Sequence, residues 1–237
     1  SPKDKYIAVT NDQQTIDIWD LMTNEKIYSI KAPGMFTAAY FTPDGWLAVD
    51  LIDEIGVDLL NPQTGEVVQS YRGFQTAAPV YSTSFSRDNK WLLWLSSGTL
   101  QITDLQSSQL GPSFGHEDFI NSYVLSPDGT ILVTSAGGTM DDEFQPLLYF
   151  WDTSNGETIT KIATSAMAYG LDFSYQGDLL SGGVGETVII WDSSNQEQRL
   201  VLEGFNDNVN FTTFSPDGRI FVATSFDNSV RFWQVNP

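Results

Sequence analysis

FTTFSPDGRIFVATSFDNSVRFWQV occupies residues 211–235, and its order of strand and turn signals decides the fold. Two runs of β-prone residues flank a Ser-Pro-Asp-Gly turn, and a Phe-Asp-Asn turn then leads into a strand that carries Trp233. In such a turn proline presets φ, aspartate caps the backbone and glycine takes the positive φ. The stretch therefore predicts three antiparallel strands joined by tight turns.

The same pattern recurs along the whole chain. Six strands end at equivalent positions, which are Trp19, Leu60, Thr103, Trp151, Trp191 and Trp233. Successive members of this set lie 40 to 48 residues apart, and turns such as FTPDGW (41–46) and LSPDGT (125–130) precede most of them. Repeats of about 40 residues with four short strands each cannot bury both sheet faces alone. They predict blades stacked around an axis, which is a β-propeller.

The Trp-Asp pairs at 19–20, 151–152 and 191–192 stand in register with these turns, and residues 115–152 also contain a Gly-His pair. On these motifs the chain resembles the WD-repeat β-propeller family over essentially its whole length, although only one repeat has Gly-His and two lack the Trp. The resemblance implies an all-β fold of four-stranded antiparallel blades in one domain, residues 1–237. We expect 22 strands, with the first blade lacking its inner strand and the last its outer strand. The expected ring is N-terminally truncated and has seven blades, or six.

The single histidine, His116, takes a structural role in this resemblance. The implied hydrogen-bond partners are Thr134 or Ser135, Asp141 or Asp142, and Trp151. The residues assigned to structural roles are His116, Ser135, Trp19, Trp151, Trp191 and Trp233. A lone histidine and no cysteine exclude a Ser-His-Asp triad elsewhere, Cys-His catalysis and a zinc site of the usual kind. We expect no cofactor and no metal.

The charge balance narrows the possible partners. The chain has 11 Lys and Arg against 30 Asp and Glu, a net charge of −19. Such a field repels phosphate backbones and anionic membranes, and the apolar runs are too short to cross a bilayer, so neither nucleic acid nor membrane insertion is expected. An acidic surface either keeps the protein soluble or attracts a basic partner.

The widest repeat spacing, 48 residues, places an insertion at AGGTMDDEFQPLL (136–148). We predict a long loop there, between the second and third strands of its blade. Three consecutive acids, Asp141, Asp142 and Glu143, precede Phe144, a composition that suits a basic peptide or a cation. The alternative is a solvated acidic loop without a ligand.

A second candidate surface is spread over several repeats. Counting back from each turn brings Met35, Pro79, Phe119, Met167 and Asn208 to one equivalent position, at the start of the inner strand. In the family such residues ring the mouth of the central channel. Phe36, Phe74 and Phe205 are close by in sequence. An adaptable apolar patch rimmed by acids suits peptide capture, and the alternative is local packing of the loops.

These observations predict a non-enzymatic scaffold that presents a rigid propeller face to a protein or peptide with basic and hydrophobic character. The alternative is a propeller that binds a small ligand or glycan, or that hydrolyses glycans with paired carboxylates. Thirty acidic residues leave such a pair open. The separation that its chemistry requires is not readable from sequence.

Overall fold

The computed structural model describes residues 1, 5–10, 15–32, 36–51, 56–72, 80–96, 98–140 and 143–235. Within these ranges the chain forms 22 strands and no helix, which confirms the all-β class and the predicted number of strands. No helix in the described ranges is therefore long and apolar enough to span a membrane. The strands form six antiparallel sheets in chain order, here called blades 1 to 6.

The chain divides into two compact units, Ser1–Leu110 and Gly111–Pro237, and each is described by itself. Blade 1 contains β1 (Tyr6–Thr10), β2 (Thr15–Asp20) and β3 (Glu25–Lys31). Blade 2 contains β4 (Phe36–Phe41), β5 (Leu47–Leu51), β6 (Gly56–Leu60) and β7 (Val67–Arg72). Blade 3 contains β8 (Val80–Phe85), β9 (Trp91–Ser96), β10 (Thr99–Asp104) and β11 (Leu110–Gly115). The prediction of a single domain stays a prediction.

The second unit begins within β11 and holds the remaining sheets. Blade 4 contains β12 (Ile120–Leu125), β13 (Ile131–Met140), β14 (Glu143–Asp152) and β15 (Thr158–Ala163). Blade 5 contains β16 (Ala168–Phe173), β17 (Leu179–Val184), β18 (Thr187–Asp192) and β19 (Gln198–Leu202). Blade 6 contains β20 (Val209–Phe214), β21 (Ile220–Ser225) and β22 (Val230–Gln234). The first and last blades have three strands each, as predicted.

Strand register confirms that the six repeat positions are equivalent. Each of them lies opposite an apolar residue at the same point of the neighbouring strand. The pairs are Ile7 with Trp19, Leu47 with Leu60, Leu92 with Thr103, Leu132 with Trp151, Leu180 with Trp191, and Phe221 with Trp233. The repeated sequence pattern therefore corresponds to a repeated position in the blade, including the two repeats without Trp.

The Asp of each Trp-Asp pair has a local structural role. In blade 4, Asp152 Oδ1 accepts hydrogen bonds from the Ser154 backbone N–H at 2.8 Å and from its hydroxyl at 2.6 Å. Asp192 accepts the same two bonds from Ser194, and Asp20 accepts bonds from the backbone N–H groups of Met22 and Thr23. A carboxylate that caps its own turn is used by the fold and is a poor candidate for catalysis.

The core lies between consecutive blades. Val133, Leu148 and Phe150 of blade 4 pack with Ala168 and Phe173 of blade 5. The Ala168 and Leu171 backbone N–H groups also donate to Ser135 Oγ at 2.9 Å and Ser122 Oγ at 3.0 Å, respectively. Each such bond contributes about 1 kcal/mol. Together they hold blades 4 and 5 as one rigid support.

Two residues of the expected surface patch belong to the core instead. Phe36 is 3% exposed and packs with the apolar residues of blades 1 and 2. Phe205 is 5% exposed, with its ring centroid 6.2 Å from that of Trp233. Phe205 follows Gly204 as His116 follows Gly115, so it fills the position that a histidine has in blade 4.

The predicted loop at 136–148 is mostly strand. β13 continues to Met140 and β14 begins at Glu143, with an unbroken register from Ala136 opposite Leu147 to Met140 opposite Glu143. The insertion therefore lengthens the central hairpin of blade 4. The expected loop was wrong because the repeat spacing gives the number of inserted residues but not whether they pair, and most of them extend the two strands.

Candidate functional site

The lengthened hairpin extends past both neighbouring strands. Pairing of β12 with β13 ends at Ile120 opposite Ala136, and pairing of β15 with β14 begins at Ala163 opposite Leu147. Residues 137–140 and 143–146 thus form a two-stranded extension that we call the hairpin tip. Leu148 and Phe150 face blade 5, and since side chains alternate along a strand, Phe144 lies on this same side.

Gly137 brings a ring and a carboxylate together on that side of the hairpin tip. A β-carbon at Gly137 would lie 2.7 Å from Phe144 Cζ and 2.8 Å from Asp118 Oδ2. The space that a side chain would fill is therefore shared by the edge of the Phe144 ring and the Asp118 carboxylate. Phe144 remains 61% exposed. A ring beside a carboxylate fits the stem and the charge of a lysine or arginine side chain.

The segment before β12 is tied to the hairpin tip. The Thr139 hydroxyl donates to Glu117 Oε2 at 2.8 Å, and Thr139 lies opposite Phe144 in the register. The Phe119 backbone N–H donates to Asp118 Oδ1 at 2.8 Å, which fixes the Asp118 side chain. Phe119 itself is 75% exposed. We call Glu117, Asp118, Phe119, Thr139 and Phe144 the hairpin site.

Gly138 makes room on the opposite side for the Tyr149 hydroxyl, which occupies the space of its missing β-carbon. The Tyr149 ring stacks on Trp151, with centroids 5.4 Å apart, and lies edge-on to His116 at 4.8 Å. Lys161 Nζ lies 4.7 Å from the centroid of the Tyr149 ring. Burial and the charge of Glu117 raise the pKa of Tyr149. This aromatic cluster packs against the side of the hairpin opposite Phe144 and supports it there.

His116 belongs to this support. Its Nε2 lies 2.7 Å from Thr134 Oγ1, and the Trp151 indole N–H donates to the same oxygen at 2.9 Å. Thr134, and not Ser135, is therefore the hydroxyl partner. Burial lowers the pKa of His116 to about 4, against a weaker opposing effect of the Phe114 carbonyl, so His116 is neutral at pH 7. Because Thr134 accepts from Trp151, its own proton is available to Nε2.

The second ring nitrogen of His116 makes no such contact. Nδ1 is buried and has no hydrogen-bond partner among the described residues. The turn aspartates expected near it, Asp141 and Asp142, lie outside the described residues. A neutral, buried histidine held by Thr134 and two aromatic rings fits the structural role that the resemblance implied.

The structure separates several residues that the sequence had grouped. Glu143 is exposed but lies on the other side of the strand from Phe144, because successive side chains alternate. Met167 is half-buried before β16. Met35 and Phe74 lie outside the described residues. Among the predicted binding residues that the structure describes, Phe144 lies beside the shared Gly137 space, and Phe119 directly follows Asp118, which also lies there.

Sequence reasoning missed Glu117, Asp118, Thr139 and Gly137. A weak signal existed, since Glu-Asp-Phe at 117–119 and Gly-Gly at 137–138 fall in the same repeat. Their contact depends on the length of the hairpin, which the repeat spacing did not reveal. In the described parts of the chain, no group of three or more His, Asp or Glu side chains could hold a metal ion.

The repeated blades, with Trp on the third strand and Asp capping the turn after it, define the class as a β-propeller protein. The family model for the WD domain, G-beta repeat, matches residues 108–141 and 196–234. This match confirms, over those residues, the resemblance to the WD-repeat family that the motifs predicted.

Named relatives support this assignment. Protein FIZZY-RELATED 1 of Arabidopsis thaliana is 23% identical over 98% of this chain and 49% of its own length. Anaphase-promoting complex subunit cdh1 of Dictyostelium discoideum is 29% identical over 52% of this chain and 16% of its own length. Small ribosomal subunit protein RACK1y of Oryza sativa subsp. japonica is 26% identical over 52% of this chain and 36% of its own length. The chain thus spans half or less of each of these relatives.

Proposed function

We propose that the chain is a non-enzymatic interaction module whose hairpin site binds a peptide segment with basic and hydrophobic side chains. The observation that carries this proposal is the space at Gly137, which the Phe144 ring and the Asp118 carboxylate share. A basic side chain would lay its aliphatic stem on the ring and place its charge on the carboxylate. An apolar side chain at another position of the peptide would cover Phe119, which is 75% exposed.

The surroundings of the site favour this partner. Glu117 adds a second carboxylate beside Asp118, and the chain as a whole carries a net charge of −19. A field of this sign attracts basic segments and speeds their encounter. The site stands on a rigid support, because blades 4 and 5 share a core and the Tyr149 cluster fixes the hairpin from below. Rigid support lowers the entropy cost of binding.

The names of two relatives agree with a role in assemblies. Anaphase-promoting complex subunit cdh1 and small ribosomal subunit protein RACK1y are both named as parts of larger complexes. For this chain the partner remains to be identified, and only its chemistry is proposed. No observation on the described residues favours the glycan-binding or hydrolytic alternative over this reading.

Fluorescence anisotropy with a panel of capped peptides tests the proposal. Half of the panel contains arginine next to leucine or phenylalanine, and the other half has glutamate in place of arginine. We expect the wild-type chain to bind the basic half selectively. Combined Phe119→Ser and Phe144→Ser substitution should weaken that binding about five- to thirtyfold, since both rings would be lost from a contact worth about 1 to 2 kcal/mol.

Matched variants make the test specific. Gly137→Ala should weaken binding as well, because its β-carbon displaces the ring and the carboxylate, while φ there lies outside the left-handed region and tolerates alanine. Tyr175→Ser is the control, since Tyr175 is 58% exposed but follows β16 at the end opposite the hairpin. Equal binding of both halves of the panel, or equal affinity of wild type and the Phe119/Phe144 variant, would contradict the proposal.

A further inference from the structure

The hairpin tip has an open edge, and one backbone hydrogen bond shows which backbone groups lie on it. The Thr164 N–H donates to the Pro146 carbonyl at 3.1 Å, one step beyond the pair formed by Ala163 and Leu147. The Pro146 carbonyl therefore points away from β13. In an antiparallel ladder the outward direction recurs at every second residue. The N–H and carbonyl of Phe144 consequently point outward on the same edge as the Pro146 carbonyl.

No residue in the described ranges pairs with the edge of β14 at Phe144. Strand β15 ends at Ala163 and the chain turns after Thr164, whose hydroxyl donates to the Ala166 carbonyl at 2.8 Å. The alternation leaves the Phe144 N–H and carbonyl out of the ladder with β13, and in the described ranges they make no backbone hydrogen bond outside the strands. An outward N–H and carbonyl on one residue are the groups to which an added strand binds.

We propose that the hairpin site takes its peptide as an added β-strand, which pairs with Phe144 along the edge of β14 and places an arginine or lysine opposite it. This inference rests on the proposed function and specifies how the partner is bound. The central residue of the peptide would exchange two backbone hydrogen bonds with Phe144. Its side chain would lie on the same side of the sheet as the Phe144 ring.

The geometry of the sheet matches this side chain to Asp118. Neighbouring strands are about 4.8 Å apart, so Gly137 on β13 lies roughly 10 Å from an added strand, across the Phe144 residue. The Phe144 ring covers the inner part of this gap, from β14 to the Gly137 space, where its Cζ lies beside Asp118 Oδ2. An extended arginine or lysine can follow the ring to the carboxylate. A short or acidic residue at this position would make neither contact.

Backbone methylation of the peptide tests the binding mode separately from the site. The probe is a capped, fluorescent pentapeptide of sequence Thr-Val-Arg-Val-Thr, titrated with the full chain. Its first variant is N-methylated at arginine, whose N–H would donate to the Phe144 carbonyl. The matched control is N-methylated at the following valine, whose N–H would point to solvent. Both variants keep the charge and the side chains.

We expect methylation at arginine to weaken binding about tenfold or more, through the lost hydrogen bond and the methyl group placed between the strands. Methylation at valine should change affinity less than about threefold by the same reasoning. Equal effects of the two methyl groups would overturn strand addition, and if binding still depends on Phe119 and Phe144 the proposed function stands. If the unmethylated peptide fails to bind at about 1 mM while the basic half of the panel binds, strand addition is again overturned. Failure of all basic peptides would overturn both proposals.

Discussion

At the residue scale, blades 3 and 4 contain the same kind of Trp-to-Thr hydrogen bond, but the two residues have exchanged strands. In blade 4 the Trp151 indole on β14 donates to Thr134 on β13, and in blade 3 the Trp94 indole on β9 donates to Thr103 on β10 at 3.2 Å. The registers make Trp94 equivalent to Thr134, and Thr103 equivalent to Trp151. The repeat that lacked the Trp at its expected position therefore carries it one strand earlier.

This exchange predicts strong coupling between two substitutions. Trp94→Thr alone should lower the free energy of unfolding by about 3 to 5 kcal/mol, as truncation of a buried aromatic does. Thr103→Trp alone should also destabilise, because it overfills the same space. The double variant should recover at least about 1 kcal/mol relative to the sum of the singles. Denaturant unfolding of the four proteins measures this, and additive effects would show that the pair is unrelated to the blade 4 bond.

His116 gives a prediction for pH. Its folded pKa of about 4 lies below its ordinary value of 6.5, so the unfolded chain binds a proton in this range and the folded chain does not. The contribution of His116 to stability therefore falls as the pH decreases from about 6.5 to about 4. Asp50 acts in the opposite direction, because burial raises its pKa to about 6. Because the two contributions oppose each other, the pH dependence of wild-type stability does not by itself show the contribution of His116.

Comparison with His116→Gln removes the contribution of Asp50. The free energy of unfolding of wild type minus that of the variant should decrease between pH 6.5 and pH 4 and stay constant from pH 7 to 8. Denaturant unfolding at several pH values provides the difference. A difference that is flat across the acidic range would mean that His116 takes up its proton in the folded state as readily as in the unfolded one.

At the scale of elements, two glycines in the hairpin of β13 and β14 have different structural roles. Gly137 makes room for Phe144 and Asp118 at the hairpin site, and Gly138 makes room for Tyr149 in the support. Substitution of the first should change binding, whereas substitution of the second should change stability. This difference separates the surface that binds from the scaffold that holds it.

Gly138→Ala should lower the free energy of unfolding by about 1 to 3 kcal/mol, since its β-carbon would occupy the place of the Tyr149 hydroxyl. Tyr149→Phe removes that hydroxyl, so the combination of both substitutions should be more stable than Gly138→Ala alone. Thermal and denaturant unfolding of the three variants check the rescue. If Tyr149→Phe fails to relieve the effect of Gly138→Ala, the two groups do not share this space.

The sequence predicted most of the elements and few of the contacts. Alternation, the Pro-Asp-Gly turns and the Trp strands set the strand count and the register, because each signal is local. Phe205 was expected at the surface, since only the fold shows that it fills the position of His116 against Trp233. The hairpin site depends on Asp118 meeting Phe144 across Gly137, which is a tertiary contact that no local pattern encodes.

At the scale of the whole molecule, charge should govern how a basic peptide arrives. With a net charge of −19, the chain attracts such a peptide over distances that salt shortens to about 8 Å at physiological ionic strength. The association rate with the arginine peptide should therefore fall as NaCl is raised, with a smaller change in the dissociation rate. Stopped-flow measurements at several salt concentrations check this. An association rate independent of salt would contradict electrostatic attraction.

The central claim is that the hairpin tip is a structured, open-edged ladder, and amide hydrogen exchange resolved by residue tests it most directly. In the free protein the Gly138 and Gln145 amides, which face the partner strand, should be protected, while the Thr139 and Phe144 amides should exchange rapidly. Addition of the arginine peptide should protect the Phe144 amide. Uniformly rapid exchange from residue 137 to residue 146, or a Phe144 amide unchanged by saturating peptide, would contradict the account.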